Sequence, residues 1–280
     1  MKNTIYPCLT IKDKAVEAAA FYLAIFGDGK IIQQSPFAIQ FLMSNQKFLL
    51  LNDGPSSQPN AAISFMVNCK SNEEVEYYWN QLIEGGRVLM PINTYPWSTK
   101  YGWLVDQYGV SWQLFTATEG EQMQKFTPTL MFTGTKAGKA AKAIAFYTQV
   151  FPNAETGGIF TCNEGEGDRT DFIKHARFSI DDFAITAMDS SMDDPIDFND
   201  AISFVVACDT QSEIDYYWEQ LSTRGGREIA CGWLQDKFGI SWQIIPKKLS
   251  ALIEDPERAP KVMNALMQMK KLVIADLENA

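Results

Sequence analysis

His175 is the single histidine of a 280-residue chain. A metal centre draws on three or four ligands and a nucleophilic triad on an ordered partner. One imidazole on a strand-like run, Phe172 to Ile180, therefore reads first as an ordinary hydrogen-bonded residue and only second as an acid–base group. The five cysteines, Cys8, Cys69, Cys162, Cys208 and Cys231, are odd in number, scattered and without a CxxC pair. That excludes a disulfide framework or a zinc knot and leaves reduced, mostly buried thiols. Asp53 and Asp189 fall at similar places in two related segments and would suit a cup mouth. Each sits in a turn context, Asn52-Asp53-Gly54-Pro55 and Met188-Asp189-Ser190, where turn chemistry is the simpler reason for an aspartate. The run Gly134-Thr-Lys-Ala-Gly138-Lys139 has the look of a phosphate loop. Its spacing is one residue short and Ala140 follows the lysine, so a helix start is the better reading.

Hydrophobic residues make up 46% of the chain and charged residues 21%, a balance that supports sizeable cores. The formal charge of -10 repels phosphate backbones and anionic membranes. Nucleic acid and membrane are accordingly excluded as expected partners. No apolar stretch of signal-peptide length opens the chain, and no later run approaches a membrane span, so a cytoplasmic protein is expected.

The stretch Ala62 to Leu82 (AISFMVNCKSNEEVEYYWNQL) recurs as Ala201 to Leu221 (AISFVVACDTQSEIDYYWEQL), with 12 of 21 positions identical. Tyr101 to Leu114 (YGWLVDQYGVSWQL) returns as Cys231 to Ile244 (CGWLQDKFGISWQI), with 8 of 14 identical. The first copy carries about ten extra residues around Met90 to Lys100, which predicts a longer loop or hairpin there. That insertion holds Tyr95, Pro96 and Trp97 beside Tyr101, either as an aromatic lid or as a loop packed on its own domain, the second being the simpler reading. Pro7, Leu9 and Phe21-Tyr22 match Pro128, Leu130 and Phe146-Tyr147. The chain is a tandem duplication of a unit of about 120 residues, divided in the polar stretch Thr118 to Lys125.

Periodicity places the elements. Strands are predicted at Tyr6 to Ile11, Lys30 to Gln34, Ala38 to Met43, Phe48 to Leu51 and Ala62 to Val67, with a helix over Ala15 to Phe26. Ser71-x-x-Glu74 and Thr210-x-x-Glu213 are capping boxes for helices that stop at Gly85-Gly86 and Gly225-Gly226. Each copy closes on a strand, Ser111 to Phe115 or Ser241 to Ile245. Each copy is thus two βαβββ units, an α+β chain of four. After Ile245, Leu249 to Ile253 and then Val262, Leu266, Met269, Val273 and Leu277 follow helical spacing. This amphipathic appendix is expected to pack on its own chain. The expected domains are residues 1–120, 125–247 and a helical extension 248–280.

The pattern PCLTI…AAAFYLAIF, AISFMV…YYWNQL…GG and GWLxDxxGxSWQ, over about residues 5 to 247, resembles the PhnB-like branch of the vicinal oxygen chelate superfamily. Glyoxalase I, bleomycin resistance proteins and extradiol dioxygenases belong to the same superfamily. The resemblance implies two glyoxalase-like curved-sheet domains with a ligand or metal in the cup. Members of this branch also carry the name demethylubiquinone methyltransferase, but no glycine-rich nucleotide fingerprint follows a strand here. Metal-binding members place His on the first strand of each unit and Glu on the last. The matching positions are Tyr6, Ala62 and Gln113 in the first copy and Thr127, Ala201 and Gln243 in the second. None of these six replaces an imidazole or a carboxylate, so no metal and no other cofactor is expected.

If Gln113 keeps the orientation of the family glutamate, strand alternation puts Ser111, Phe115 and Ser64 on its face and sends Trp112 and Leu114 under the helices. In the second copy, Gln243, Ser241 and Ser203 follow suit. Trp103 and Trp233 are candidates for stacking on a ligand, whereas Trp79, Trp112 and their counterparts Trp218 and Trp242 read as structural. The leading expectation is a metal-independent protein binding an unknown small organic molecule, as a monomer with an internal pseudo-dimer or as a homodimer. Two alternatives remain open at this point. One is an enzyme, of lyase, dioxygenase or transferase type, rebuilt around Gln113, Gln243, Ser64, Ser203, Asp53, Asp189 or His175. The other is an interaction module whose polar cup residues merely satisfy one another.

Overall fold

The structure, a computed structural model, describes residues 4–54, 57–117, 124–192, 194–223 and 225–280. The centre of the divide between the copies, residues 118–123, lies outside the described residues, as does Pro55. The chain forms two compact units, one of Pro7–Ile202 and one in which Ser203–Ala280 are joined by the residues up to Tyr6.

Four βαβββ runs follow in order. The first is β1 (Ile5–Thr10), α1 (Ala15–Phe26), β2 (Gly29–Gln34), β3 (Ala38–Met43) and β4 (Gln46–Leu51). The second is β5 (Ile63–Cys69), α2 (Asn72–Leu82), β6 (Arg87–Tyr95), β7 (Ser98–Val105) and β8 (Ser111–Thr116). The third is β9 (Phe126–Phe132), α3 (Ala140–Val150), β10 (Ala154–Thr161), β11 (Ile173–Ile180) and β12 (Phe183–Asp189). The fourth is β13 (Ile202–Cys208), α4 (Gln211–Ser222), β14 (Arg227–Glu228), β15 (Trp233–Gln235) and β16 (Ser241–Pro246). Three helices close the chain, α5 (Leu249–Glu254), α6 (Ala259–Gln268) and α7 (Ile274–Glu278).

In the larger unit, residues 63–189 build one eight-stranded sheet in the order β10-β11-β12-β9-β5-β8-β7-β6. Its centre is the antiparallel pair β5–β9, flanked by the parallel pairs β5–β8 and β9–β12. The sheet therefore does not close within one sequence copy: β5–β8 come from the first and β9–β12 from the second. The same unit holds a four-stranded run in the order β1-β4-β3-β2. In the smaller unit the order is β14-β15-β16-β13, and the Thr4 carbonyl accepts from the Ala207 N–H.

Local chemistry sets the helix ends. Ser71 accepts the Glu74 N–H, and Thr210 and Glu213 form a reciprocal capping box that satisfies otherwise orphaned N–H groups. α1 has no cap of its own; Asn52 reaches across to accept the Ala15 N–H at 2.8 Å. Asp189 does the same for Ala140 at 3.1 Å and also accepts from Ile173. Asn52, not Asp53, is thus the counterpart of Asp189. Asp53 only closes its own turn through the Gly54 N–H.

On one face of the 63–189 sheet, α2 packs against β5, β7 and β8 while α3 packs against β9 to β12. Between sheet and helices lies an aromatic core: Trp112 meets Tyr22, Phe26 and Phe65, with centroids 5.4 Å apart in each pair. Such rings bury enough area to dominate a core of this size. The Trp112 indole and the Tyr22 phenol both donate to Asp106 Oδ2 at 2.8 Å, and Oδ1 takes the N–H groups of Tyr108 and Val110. Gly102 lets the Trp79 ring lie on the strand, since a Cβ there would meet that ring at 2.5 Å.

In the smaller unit Asp236 repeats this knot with Phe238, Ile240 and Trp242. The C-terminal helices pack on their own chain as expected, around Val262, Leu272 and Leu277 with Ile245 against them. The segment after α6 is tied down by backbone bonds from Cys231 and Gly232 to the carbonyls of Met269 and Lys270. No helix is long and apolar enough to cross a membrane.

Candidate functional site

With α2 and α3 on one side of the 63–189 sheet, its other face is defined by register and alternation. Ser64 stands opposite both Ser111 and Thr129; Trp103 stands opposite Gln113, and Tyr101 opposite Phe115. Gln113, Ser64, Ser111, Phe115 and Trp103, the residues singled out in the first copy, all share this face. Trp112 and Leu114 are buried on the helix side.

The face has a polar chain at its floor. Gln113, only 3% exposed, donates from Nε2 to Ser64 Oγ at 2.7 Å and accepts at Oε1 from the Tyr101 phenol at 2.8 Å. The Trp103 indole donates to Ser111 Oγ at 2.7 Å. Thr129, fully buried, has a hydroxyl with no partner among the described residues. Burial pushes the Tyr101 phenol well above its ordinary pKa, so it remains a donor at any physiological pH.

The insertion of the first copy supplies the surroundings of Tyr101. Residues 87–105 form a long hairpin, β6–β7, on which Tyr95 stacks on Trp97 at 5.1 Å and both rings meet Tyr101 edge-on. The insertion is thus neither a free loop nor a detached lid: it is a hairpin extension packed on its own strand pair. Tyr101 was not singled out from the sequence as a site residue, although its lone phenol beside a cup-facing strand is the signal that carries it.

The far side of the face comes from the third βαβββ run. Arg177 stands opposite Thr186, which stands opposite Thr129. His175, Arg177 and Ser179, all partly buried, alternate with the buried Ala176, Phe178 and Ile180 under α3. The lone histidine, treated in the sequence as separate from Gln113, lies on the same sheet face. Burial first, and the nearby Arg177 charge second, hold its pKa below the usual imidazole range, so it is neutral at neutral pH. Asp53 and Asp189 are not on this face; they are the turn and cap residues described above. Asp189 is raised in pKa by burial, against four backbone N–H donors.

In the smaller unit, Gln243 donates to Ser203 Oγ at 3.0 Å, and Trp233 stands opposite Gln243. The Ser241 hydroxyl is buried without a partner among the described residues. Of the five thiols, four are buried, and burial pushes those of Cys69 and Cys208 up to about 12. They are inert packing groups.

The donor set does not fit a divalent metal. The positions where metal-binding members carry His or Glu hold Tyr6, Ala62, Gln113, Thr127, Ala201 and Gln243. Gln113 already spends its carbonyl oxygen on Tyr101, and neutral amides and methyls cannot replace imidazole and carboxylate. Among the described residues, no group of three or more His, Cys, Asp and Glu side chains is arranged to hold a metal ion.

Paired βαβββ runs around this face define a glyoxalase-like fold. The chain is similar in fold to glyoxalase I from Zea mays at a TM-score of 0.57, with 10% identity over 87% of this chain and 92% of that one. Residues 3–115 and 124–245 each match the family described as 3-demethylubiquinone-9 3-methyltransferase, and the chain belongs to that family. It is a tandem pair of PhnB-like repeats. A putative 3-demethylubiquinone-9 3-methyltransferase, PhnB protein, from Bacillus cereus is 32% identical over 40% of this chain and 98% of its own, with a TM-score of 0.38. No curated protein matches the chain.

Proposed function

We propose that the protein binds a small organic molecule without a metal, in the cup on the face of the 63–189 sheet that lies away from α2 and α3. The observation that carries this reading is the chain Tyr101–Gln113–Ser64, which occupies the place of a metal-binding glutamate with neutral hydrogen-bonding groups. A hydroxyl has one donor and two acceptor sites. Ser64 accepts from Gln113 and keeps its O–H to donate, and the unpartnered Thr129 hydroxyl lies opposite it. Small apolar cups with a few convergent polar groups suit ligands of modest size.

Native mass spectrometry of the purified protein tests the reading. The expected result is a retained organic mass that Gln113→Ala loses while its circular dichroism is unchanged. Retention undiminished in Gln113→Ala would contradict the placement. A second reading, an enzyme rebuilt on this fold, rests on His175: a neutral imidazole on the cup face can accept a proton. Chemical conversion of the retained molecule on incubation, abolished in His175→Gln, would favour it.

A further inference from the structure

Resting on that cup, we infer that its ligand is an organic acid whose carboxylate is held by Arg177, with an apolar body lying across the sheet toward Thr129 and Ser64. Arg177 is partly buried on the cup face and makes no ion pair or side-chain hydrogen bond among the described residues. The chain has 34 acidic residues against 24 basic ones, so partners are not scarce. Arg169, by contrast, is paired with Asp171, and Lys174 with Glu166. A guanidinium taken partly out of water is costly to leave unpaired, and its planar fork matches a carboxylate through two parallel hydrogen bonds.

The surroundings set the class of acid. The groups near Arg177 on this face are the neutral His175 and the hydroxyls of Ser179 and Thr186. Glu155 stands opposite Ser179 but is exposed at the edge strand β10. The row from Thr186 runs on through Thr129 to Ser64, and methionines flank it on this face, Met188 opposite Met131 on one side and Met66 on the other. Thioether side chains adapt to varied apolar shapes. At about 4.8 Å between strands, Thr129 is about 10 Å and Ser64 about 14 Å from the Arg177 strand along the sheet. The ligand is therefore an acid with an apolar body and a hydrogen-bonding far end, rather than a compact dianion.

The test uses a matched pair, 3-(4-hydroxyphenyl)propionate and its amide, titrated into the full-length protein and followed through backbone amide resonances. The expected result is an acid bound about tenfold or more tightly than the amide, with shifts on β9, β11 and β12. Arg177→Gln removes the preference and leaves amide binding unchanged, while Arg177→Lys keeps part of it. Equal binding of acid and amide on this face by the unmodified protein would overturn the inference and leave the cup standing. Shifts confined to other faces, or none from either compound, would overturn both.

Discussion

The closing strands of the two copies carry the same GWLxDxxGxSWQ motif and differ on the face turned away from the helices. Beneath the helices they are alike: Asp106 and Asp236 each bind two backbone N–H groups and the indole of the motif's second tryptophan. On the opposite side Gln113 is engaged at both ends, by Ser64 and Tyr101, while Cys231 takes the place of Tyr101 in the second copy. The hairpin before β8 has strands of 9 and 8 residues, against 2 and 3 before β16. Phe115 lies on the cup face beside Tyr101, whereas its counterpart Ile245 is packed against the C-terminal helices. Duplication has kept the part of the motif that folds the loop and let the opposite face diverge.

The largest effects should come from the shared part. Asp106→Ala strips a buried acceptor from four donors and should cost on the order of 3 kcal/mol in urea unfolding. Asp236→Ala should cost a comparable amount, and a harmless change in either copy would break the equivalence of the two knots. Next comes the part that differs. Tyr101→Phe leaves the Gln113 carbonyl oxygen buried without its donor and should cost about 1–2 kcal/mol. Cys231→Ala, at the matching position, should stay within about 0.5 kcal/mol. Equal losses from these two substitutions would erase the contrast.

The same contrast governs binding: Gln113→Ala should abolish retention of the organic ligand, and Gln243→Ala should leave it in place. The smallest effect concerns pH. The pKa of His175 is lowered in the folded chain from 6.5, so the unfolded chain takes up the proton first as pH falls. Its contribution to stability is complete above about 6.5 and is lost as pH drops through the folded value. As the only histidine, it gives one imidazole titration by NMR, and a midpoint at or above the ordinary value would contradict its burial beside Arg177.

Much of this was readable from residue types. α1 begins and ends at the residues its apolar spacing indicates, and Ser71 and Thr210 both cap their helices, because helix signals are local. The reciprocal box closes at Thr210, whereas Glu74 accepts the Lys70 N–H instead of that of Ser71. The placement of Ser64, Ser111 and Gln113 on one face followed from period-two alternation. What sequence similarity could not reveal was pairing: β5 is similar to β13, yet its antiparallel partner is β9. That pairing brings His175 and Arg177 onto the face of Gln113. The alternation of His175, Arg177 and Ser179 with Ala176, Phe178 and Ile180 was nonetheless present in the chain. Asp53 was matched to Asp189 by position along the chain, but a cap is chosen by reach to a helix N–H, and there Asn52 serves.

The central claim is that neutral hydrogen-bonding groups have taken over a metal-binding position. The direct test is the metal content of protein purified without added metal or chelator, by inductively coupled plasma mass spectrometry. The account predicts less than about a tenth of an equivalent of any transition metal, because the site has lost its carboxylate and imidazole ligands. Stoichiometric zinc, nickel, iron or manganese would contradict it.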